Sequence, residues 1–302
     1  MSVETISGAG PSGIDIAFER FGEPEAPPVL LVMGLGMQML GWADEFCAAL
    51  VAHRLHVIRF DNRDVGLSTH LSDAPTPDVM AALSRDTSSA AYRLSEMAGD
   101  TVGLLDALEF DSVHIVGASM GGMIAQTVAI EYPDRVRSLT SIMSTTGDHD
   151  VGQASGEALG ALLSPPASSR EEAMDRTVSI FRVIGSPGFE LDEVELRERA
   201  GIAYDRADDP LGVTRQLVAI IASGDRTAAL RSLAVPTLVL HGTEDPLVDL
   251  SGGRATAQAV PDAELVVFDR MGHDLPRPLW PEITTRIADL VDRAEGSGPA
   301  PN

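Results

Sequence analysis

Apolar residues in this chain are spaced in two ways, and the spacing predicts where strands and helices lie. "IDIAFERF" (14–21) interleaves polar and apolar positions. The later β-rich stretches are unbroken apolar runs: "PVLLVM", "LHVIRF", "SVHIVGA", "VRSLTSIM", "PTLVLHG" and "ELVVFD". Such runs are what parallel strands require when both faces of the sheet are covered. Between them, 39–52, 94–109, 120–131, 251–260 and 279–293 carry helical patterning. Strand and helix therefore alternate, as in a doubly wound α/β sheet.

The alternation stops once. From 145 to 222 no strand pattern is clear, while "SREEAMDRTVSIFRVIG" and "VTRQLVAIIAS" read as amphipathic helices set off by the loop signals "SPPASS" and "DDPLG". The expected organisation is a core of 1–144 and 223–295, a helical insertion at 145–222 over one end of the sheet, and a disordered tail at 296–302.

Composition narrows the function classes. The 302 residues include 45 acidic and 22 basic side chains, a formal charge of −23, and every basic residue is arginine. A field of that sign repels phosphate backbones and anionic lipid, so nucleic-acid binding and a membrane-surface role are not expected. It also disfavours anionic substrates unless a basic pocket offsets it locally. The single cysteine, Cys47, excludes an intramolecular disulfide and reads as a core residue. No secretory leader pattern is visible, and "VLLVMGLGMQML" is too short and glycine-rich to span a bilayer, so a cytoplasmic protein without stable membrane insertion is expected. Assembly into a homo-oligomer is not readable.

Candidate chemistry centres on "VHIVGASMGGMIAQ" (113–126). A G-x-S-x-G match alone is weak. Here Ser119 follows a strand pattern and precedes a helix pattern, the context of a nucleophile elbow. Gly117 and Gly121 leave room for the sharp turn, and the helix N-terminus favours developing negative charge. A serine nucleophile needs a histidine base oriented by a carboxylate, following later in the chain, acid first. "VPTLVLHG" runs into "TEDPLVD", which places Asp245 beyond one strand. "ELVVFD" runs into "RMGHDLP", which places His273 beyond the next. Glu244, Asp249 and Asp148 compete for the acid; His53, His56, His70, His114, His149 and His241 compete for the base but lack His273's post-strand position in that order. Backbone donors for an oxyanion are expected from Met120 and from Leu35, the latter between Gly34 and Gly36.

With "VMGLGMQMLGW", "VIRFDNRDVGLS", "GASMGGMIAQ", "HGTEDPLV" and "MGHDLP" in order, residues 12–293 resemble an α/β-hydrolase-fold serine esterase. The chain is most similar to the bacterial group that includes aclacinomycin methylesterase and related actinobacterial carboxylesterases and lipases. The resemblance implies a mostly parallel eight-stranded sheet, a helical cap after the sixth strand, a Ser119–His273–Asp245 triad, and an oxyanion hole at Leu35 and Met120. Two departures stand out. Met33-Gly34 replaces the His-Gly pair of many relatives, and Asp64 replaces the first glycine of D-x-R-G-x-G-x-S, where Asp61, Arg63 and Ser68 brace the loop.

The function expected is hydrolysis of a neutral, small-molecule carboxylic ester through an acyl-enzyme, with no metal or organic cofactor. Thioester cleavage, perhydrolysis and C–C hydrolysis use the same triad, and fold does not separate them. A ligand receptor that keeps the triad is the alternative of another class. Phe181, Phe189 and Tyr204 in the insertion are candidates for an apolar pocket or for packing against the core.

Overall fold

The computed structural model describes residues 2–296. Its sheet has eight strands: β1 (Glu4–Ala9), β2 (Ile14–Phe21), β3 (Pro28–Val32), β4 (His56–Phe60), β5 (Val113–Ala118), β6 (Val136–Ile142), β7 (Thr237–Gly242) and β8 (Glu264–Phe268). They lie in the order β1-β2-β4-β3-β5-β6-β7-β8. The β1–β2 and β2–β4 pairings are antiparallel and the rest parallel.

Most of the unbroken apolar runs have the burial they called for: every residue of β3, β4, β5 and β7 is buried, and in β6 all but Arg137. The run of β8 does not, because β8 is an edge strand in which only Phe268 is buried. Successive residues of a strand point to opposite faces, so each run feeds two cores. Leu30, Ile58 and Ile115 pack with Leu104, Ile124 and Val128 of the helices Leu94–Ala107 and Met120–Glu131. Leu31, Val57 and Val116 pack with Phe46, Ile283 and Ile287 of the helices Asp44–Ala52 and Trp280–Gly296. Cys47 is fully buried in this second layer, and burial pushes its thiol up to about 12.

Between β6 and β7 come the helices Gly156–Leu162, Arg170–Ile184, Glu193–Arg206 and Pro210–Ser223, then the short turn of helix Thr227–Leu230. Each of the four longer helices opens on a side chain that accepts a first-turn N–H: Ser155 from Ala158, Ser169 from Glu172, Asp192 from Glu195 and Asp209 from Gly212. Such caps satisfy donors that have no earlier turn to bond.

Four details differ from the sequence reading. β1 is an additional edge strand; only Ala9 in it is buried, which left little apolar signal. The stretch 39–52 divides into a 3₁₀ turn at Met39–Gly41 and a helix that starts at Asp44. A short helix, Val79–Leu83, lies in the long β4–β5 connection. Of the expected 296–302 tail, Gly296 closes the last helix and the remainder lies outside the described residues. Among the described residues, no helix is long and apolar enough to cross a membrane.

Candidate active site

β5 reaches the helix Met120–Glu131 through one residue, Ser119, whose backbone sits at φ 55° and ψ −120°. A side chain in that region is strained and persists only where its surroundings hold it. Here Ser119 N–H donates to the Ile142 carbonyl at 2.9 Å, and its own carbonyl accepts from Gly122 and Met123 N–H at 2.9 and 3.2 Å. The glycines are a steric necessity. A Cβ at Gly117 would lie 2.1 Å from the Gly121 carbonyl oxygen, and one at Gly121 would lie 2.1 Å from that of Val32. Both obstacles are backbone, so neither can yield cheaply.

Asp245 lies in the loop after β7 and His273 in the loop after β8, at the carboxyl ends of the strands where Ser119 also emerges. His273 Nε2 is 2.9 Å from Ser119 Oγ, and His273 Nδ1 is 2.7 Å from Asp245 Oδ2. The other Asp245 oxygen accepts the N–H groups of Leu247 and Val248, each at 2.9 Å. His273 N–H donates to the Ile184 carbonyl at 2.7 Å, tying this loop to the inserted helices. The adjacent Asp274 accepts the Ser186 hydroxyl, and burial raises its carboxyl above the usual range.

The competing residues have other partners. Glu244 is exposed, Asp249 caps the helix Leu250–Ala259, and Asp148 accepts the Asp150 N–H. His241 comes nearest the relay, 3.5 Å from Asp245 Oδ2. Burial lowers its basicity, and its Nε2 is 2.7 Å from the Val248 carbonyl, so it backs Asp245 from behind. His149 is exposed, His53 ends a helix, and His56 and His114 are buried within β4 and β5.

On the facing side, the loop after β3 passes Gly34 beside Ser119, where an added Cβ would lie 3.2 Å from Ser119 Cβ. Met120 N–H opens its helix with no earlier turn to bond. Around Leu35, Met33 carbonyl accepts Asn62 Nδ2 at 3.0 Å, Met37 N–H donates to the Gly34 carbonyl at 3.2 Å, and Gly36 N–H donates to Gln216 Oε1 at 2.9 Å. Asn62 and Gln216 were missed in the sequence. Asn62 stood unremarked inside the "DNRD" stretch; Gln216 looked like any polar position of a surface helix.

A cavity of about 510 Å³ opens against Leu35 and Gly36 and runs between them and the inserted helices. Its walls include Leu40, Leu162, Val213 and Leu217, with Tyr204 among them, whereas Phe181 and Phe189 are not; Phe189 packs on the second core layer. Ser119, Asp245 and His273 do not line it; Gly34, which lies beside Ser119, leads directly into the Leu35–Gly36 stretch of its wall. Asp64, His70 and Asp209 at its edge have a metal-like grouping. However, Arg215 already binds both Asp64 oxygens at 2.9 and 2.8 Å and Asp209 at 3.0 Å, so these acceptors serve an internal cation. The second such grouping, Asp148, His149 and Asp150, is three consecutive residues of a surface loop.

The family model for the alpha/beta hydrolase fold matches residues 27–185, and one described as TAP-like protein matches 221–278. Rhodomycin D methylesterase of Streptomyces sp. (strain C5) is 30% identical over 280 residues, covering 85% of this chain and 88% of that protein. The 2-hydroxymuconate semialdehyde hydrolase of Pseudomonas sp. (strain CF600) is 31% identical over 272 residues, covering 87% and 85%. Among solved structures, the enol-lactonase from Burkholderia xenovorans LB400 superposes with a TM-score of 0.73 at 22% identity, covering 96% of this chain and 100% of that one. That likeness speaks to the fold alone. Strand order, elbow and family match agree, and the chain belongs to the α/β-hydrolase fold family.

Proposed function

We propose that this protein is a serine esterase that cleaves a neutral carboxylic ester through an acyl-enzyme. The observation that carries the reading is the continuous relay from Ser119 Oγ to His273 Nε2 at 2.9 Å and from His273 Nδ1 to Asp245 at 2.7 Å. Methylesterase relatives at about the same length support ester cleavage as the reaction.

Ser119 Oγ attacks the ester carbonyl while His273 Nε2 takes its proton; Asp245 holds the imidazole with Nδ1–H toward the carboxylate. The oxyanion forms against the N–H groups of Met120 and Leu35. The C–O bond to the alcohol breaks, and the histidine returns the proton to the departing oxygen. Water, deprotonated by the same histidine, then attacks the acyl-serine; its collapse releases the acid and restores Ser119. Residues 145–222 act as a cap over the core of 1–144 and 223–295, and the bulk of an apolar substrate occupies the cavity beside Leu35.

The test is turnover of short p-nitrophenyl esters together with fluorophosphonate labelling. Ser119→Ala is expected to lose the labelling and to lower turnover by on the order of 10⁴-fold or more. Turnover that survives in this variant sinks the assignment. C–C hydrolysis is the second reading, favoured by the 31% identical semialdehyde hydrolase. It predicts that dienoic ketone substrates are cleaved faster than any ester in a panel of varied acyl length and alcohol size.

A further inference from the structure

We propose that Gln216 is a positioning residue for ester hydrolysis: it holds the turn that presents Leu35 N–H to the oxyanion. The inference rests on the reading of Leu35 as an oxyanion donor. Gln216 belongs to the helix Pro210–Ser223, 180 residues from the turn it touches, and is fully buried. A buried amide is tolerated when both its ends are bonded. Its Oε1 accepts Gly36 N–H at 2.9 Å and its Nε2 donates to the Arg63 carbonyl at 2.7 Å. One side chain thus clamps the loop after β3 to the loop after β4.

Three bonds hold the turn. Asn62 takes the Met33 carbonyl, Met37 N–H takes the Gly34 carbonyl, and Gln216 takes Gly36 N–H. Leu35 N–H, between the two clamped ends, has no partner among the described residues. The turn is therefore fixed on both sides of Leu35 N–H. The helix cannot easily rotate away, because the preceding residue, Arg215, is locked onto Asp64 by two bonds of 2.9 and 2.8 Å. A second contact reinforces the first: Gly36, at φ +67°, packs so close to Val213 that a Cβ there would lie 2.9 Å from Val213 Cγ1.

The clamp links binding to chemistry. Val213, Thr214 and Leu217, from the same helix, line the cavity beside Leu35, so substrate bulk in the cavity bears on the element that carries Gln216. Losing one oxyanion donor lowers the rate on the order of 100-fold, and small misplacements of catalytic groups lower it steeply as well.

The experiment compares wild type with Gln216→Met, which keeps the side chain's length and removes both hydrogen bonds. Substrate is a short ester too small to fill the cavity, and folding is followed by thermal melting. The expected result is a fall in kcat of about 10- to 100-fold with KM within about threefold. Affinity for an aryl trifluoromethyl ketone, which forms a tetrahedral adduct at serine, is expected to fall in the same proportion as kcat. A purely structural role would lower the melting temperature and leave kcat of the folded enzyme and the adduct's affinity unmoved. If Met does not fold, Gln216→Glu, which keeps the acceptor and loses the donor to Arg63, takes the same measurements with a smaller expected loss in kcat. A folded variant with kcat within twofold of wild type, or a change confined to KM, overturns the proposal. Should that occur while Ser119→Ala is inactive, the hydrolase reading stands and this inference alone fails; activity in Ser119→Ala ends both.

Discussion

At Asp64 a side chain occupies backbone space that glycine usually takes, with φ at +67° and no solvent exposure. Aspartate enters the left-handed region at a modest penalty, about 1–2 kcal/mol. What holds it there is the carboxylate's company: two bonds to Arg215, the Tyr92 hydroxyl at 2.7 Å and Leu71 N–H at 2.8 Å. Burial and the neighbouring Asp64 charge raise the Tyr92 hydroxyl's pKa, which keeps it a donor. Asp64→Gly, which restores the residue common in relatives, sets these effects against each other. Relief of strain gains about 1–2 kcal/mol, while stranding one partner of a buried ion pair loses about 3–5 kcal/mol. The loss lies at the low end of that range because Arg215 keeps Asp209 at 3.0 Å. The variant is therefore expected to be destabilised by about 1–3 kcal/mol, seen as a lower urea midpoint at unchanged slope. A midpoint equal to or above wild type would show that strain outweighs the ion pair. The departure itself was legible in the sequence, since Asp64 broke a glycine pattern. Its compensation was not, because Arg215 is 151 residues away and nothing local ties the two.

The helix Pro210–Ser223 shows the same limit for a whole element. Its apolar spacing identified it as a helix, and its place between the sixth and seventh strands was readable from the missing strand pattern. Which face is buried was not: Arg215 and Gln216, polar positions that pattern alone assigns to solvent, are inside. The elbow and the two post-strand loops were legible because their geometry follows from elements adjacent in sequence, whereas the clamps come from long-range docking. This helix begins at a titratable contact. His70 Nδ1 lies 2.9 Å from Asp209 Oδ2, and Nε2 lies 2.9 Å from the Gly66 carbonyl. Both partners are acceptors, so only the protonated ring satisfies both. Burial opposes that charge, but the Gly66 carbonyl, the Asp209 carboxylate and the Asp64 charge outweigh it and raise the pKa above the ordinary value; Arg215, bonded to the same Asp209 oxygen, is the facing cation. A raised folded pKa contributes stability that is present below the unfolded value, about 6.5, and is lost as pH rises through the folded one. The gap in urea midpoint between wild type and His70→Gln is thus expected to be widest near pH 6 and to narrow as pH climbs toward about 9. A gap that stays constant over that span would mean that the contact does not titrate.

For the whole molecule, the charge of −23 acts at a distance that no single contact does. Many of the arginines are spent in ion pairs on the inserted helices, such as Arg170 with Asp205, Arg182 with Glu193 and Arg197 with Glu171, which leaves the outer field negative. The cavity itself carries both signs, with Asp64, Asp208 and Asp209 in its lining beside two arginines. Arg176 and Arg199 line it, and burial lowers the pKa of each guanidinium, with Asp208 the acid acting on Arg176 and Glu195 the one nearest Arg199. Approach is therefore governed by the acidic outer field and docking by short-range charges of both signs, and salt separates them, because long-range steering is screened first. The screening length falls from about 30 Å at 0.01 M to about 3 Å at 1 M. Three esters of matched size, with a terminal carboxylate, a quaternary ammonium or a methyl group, make the comparison. Raising salt across that range is expected to increase kcat/KM for the carboxylate ester and decrease it for the ammonium ester, each by about 2- to 10-fold. The methyl ester stays level and reports any effect of salt on the fold. A carboxylate ester whose kcat/KM falls with salt would reverse the assignment, giving control of substrate entry to the cavity arginines and not to the acidic surface.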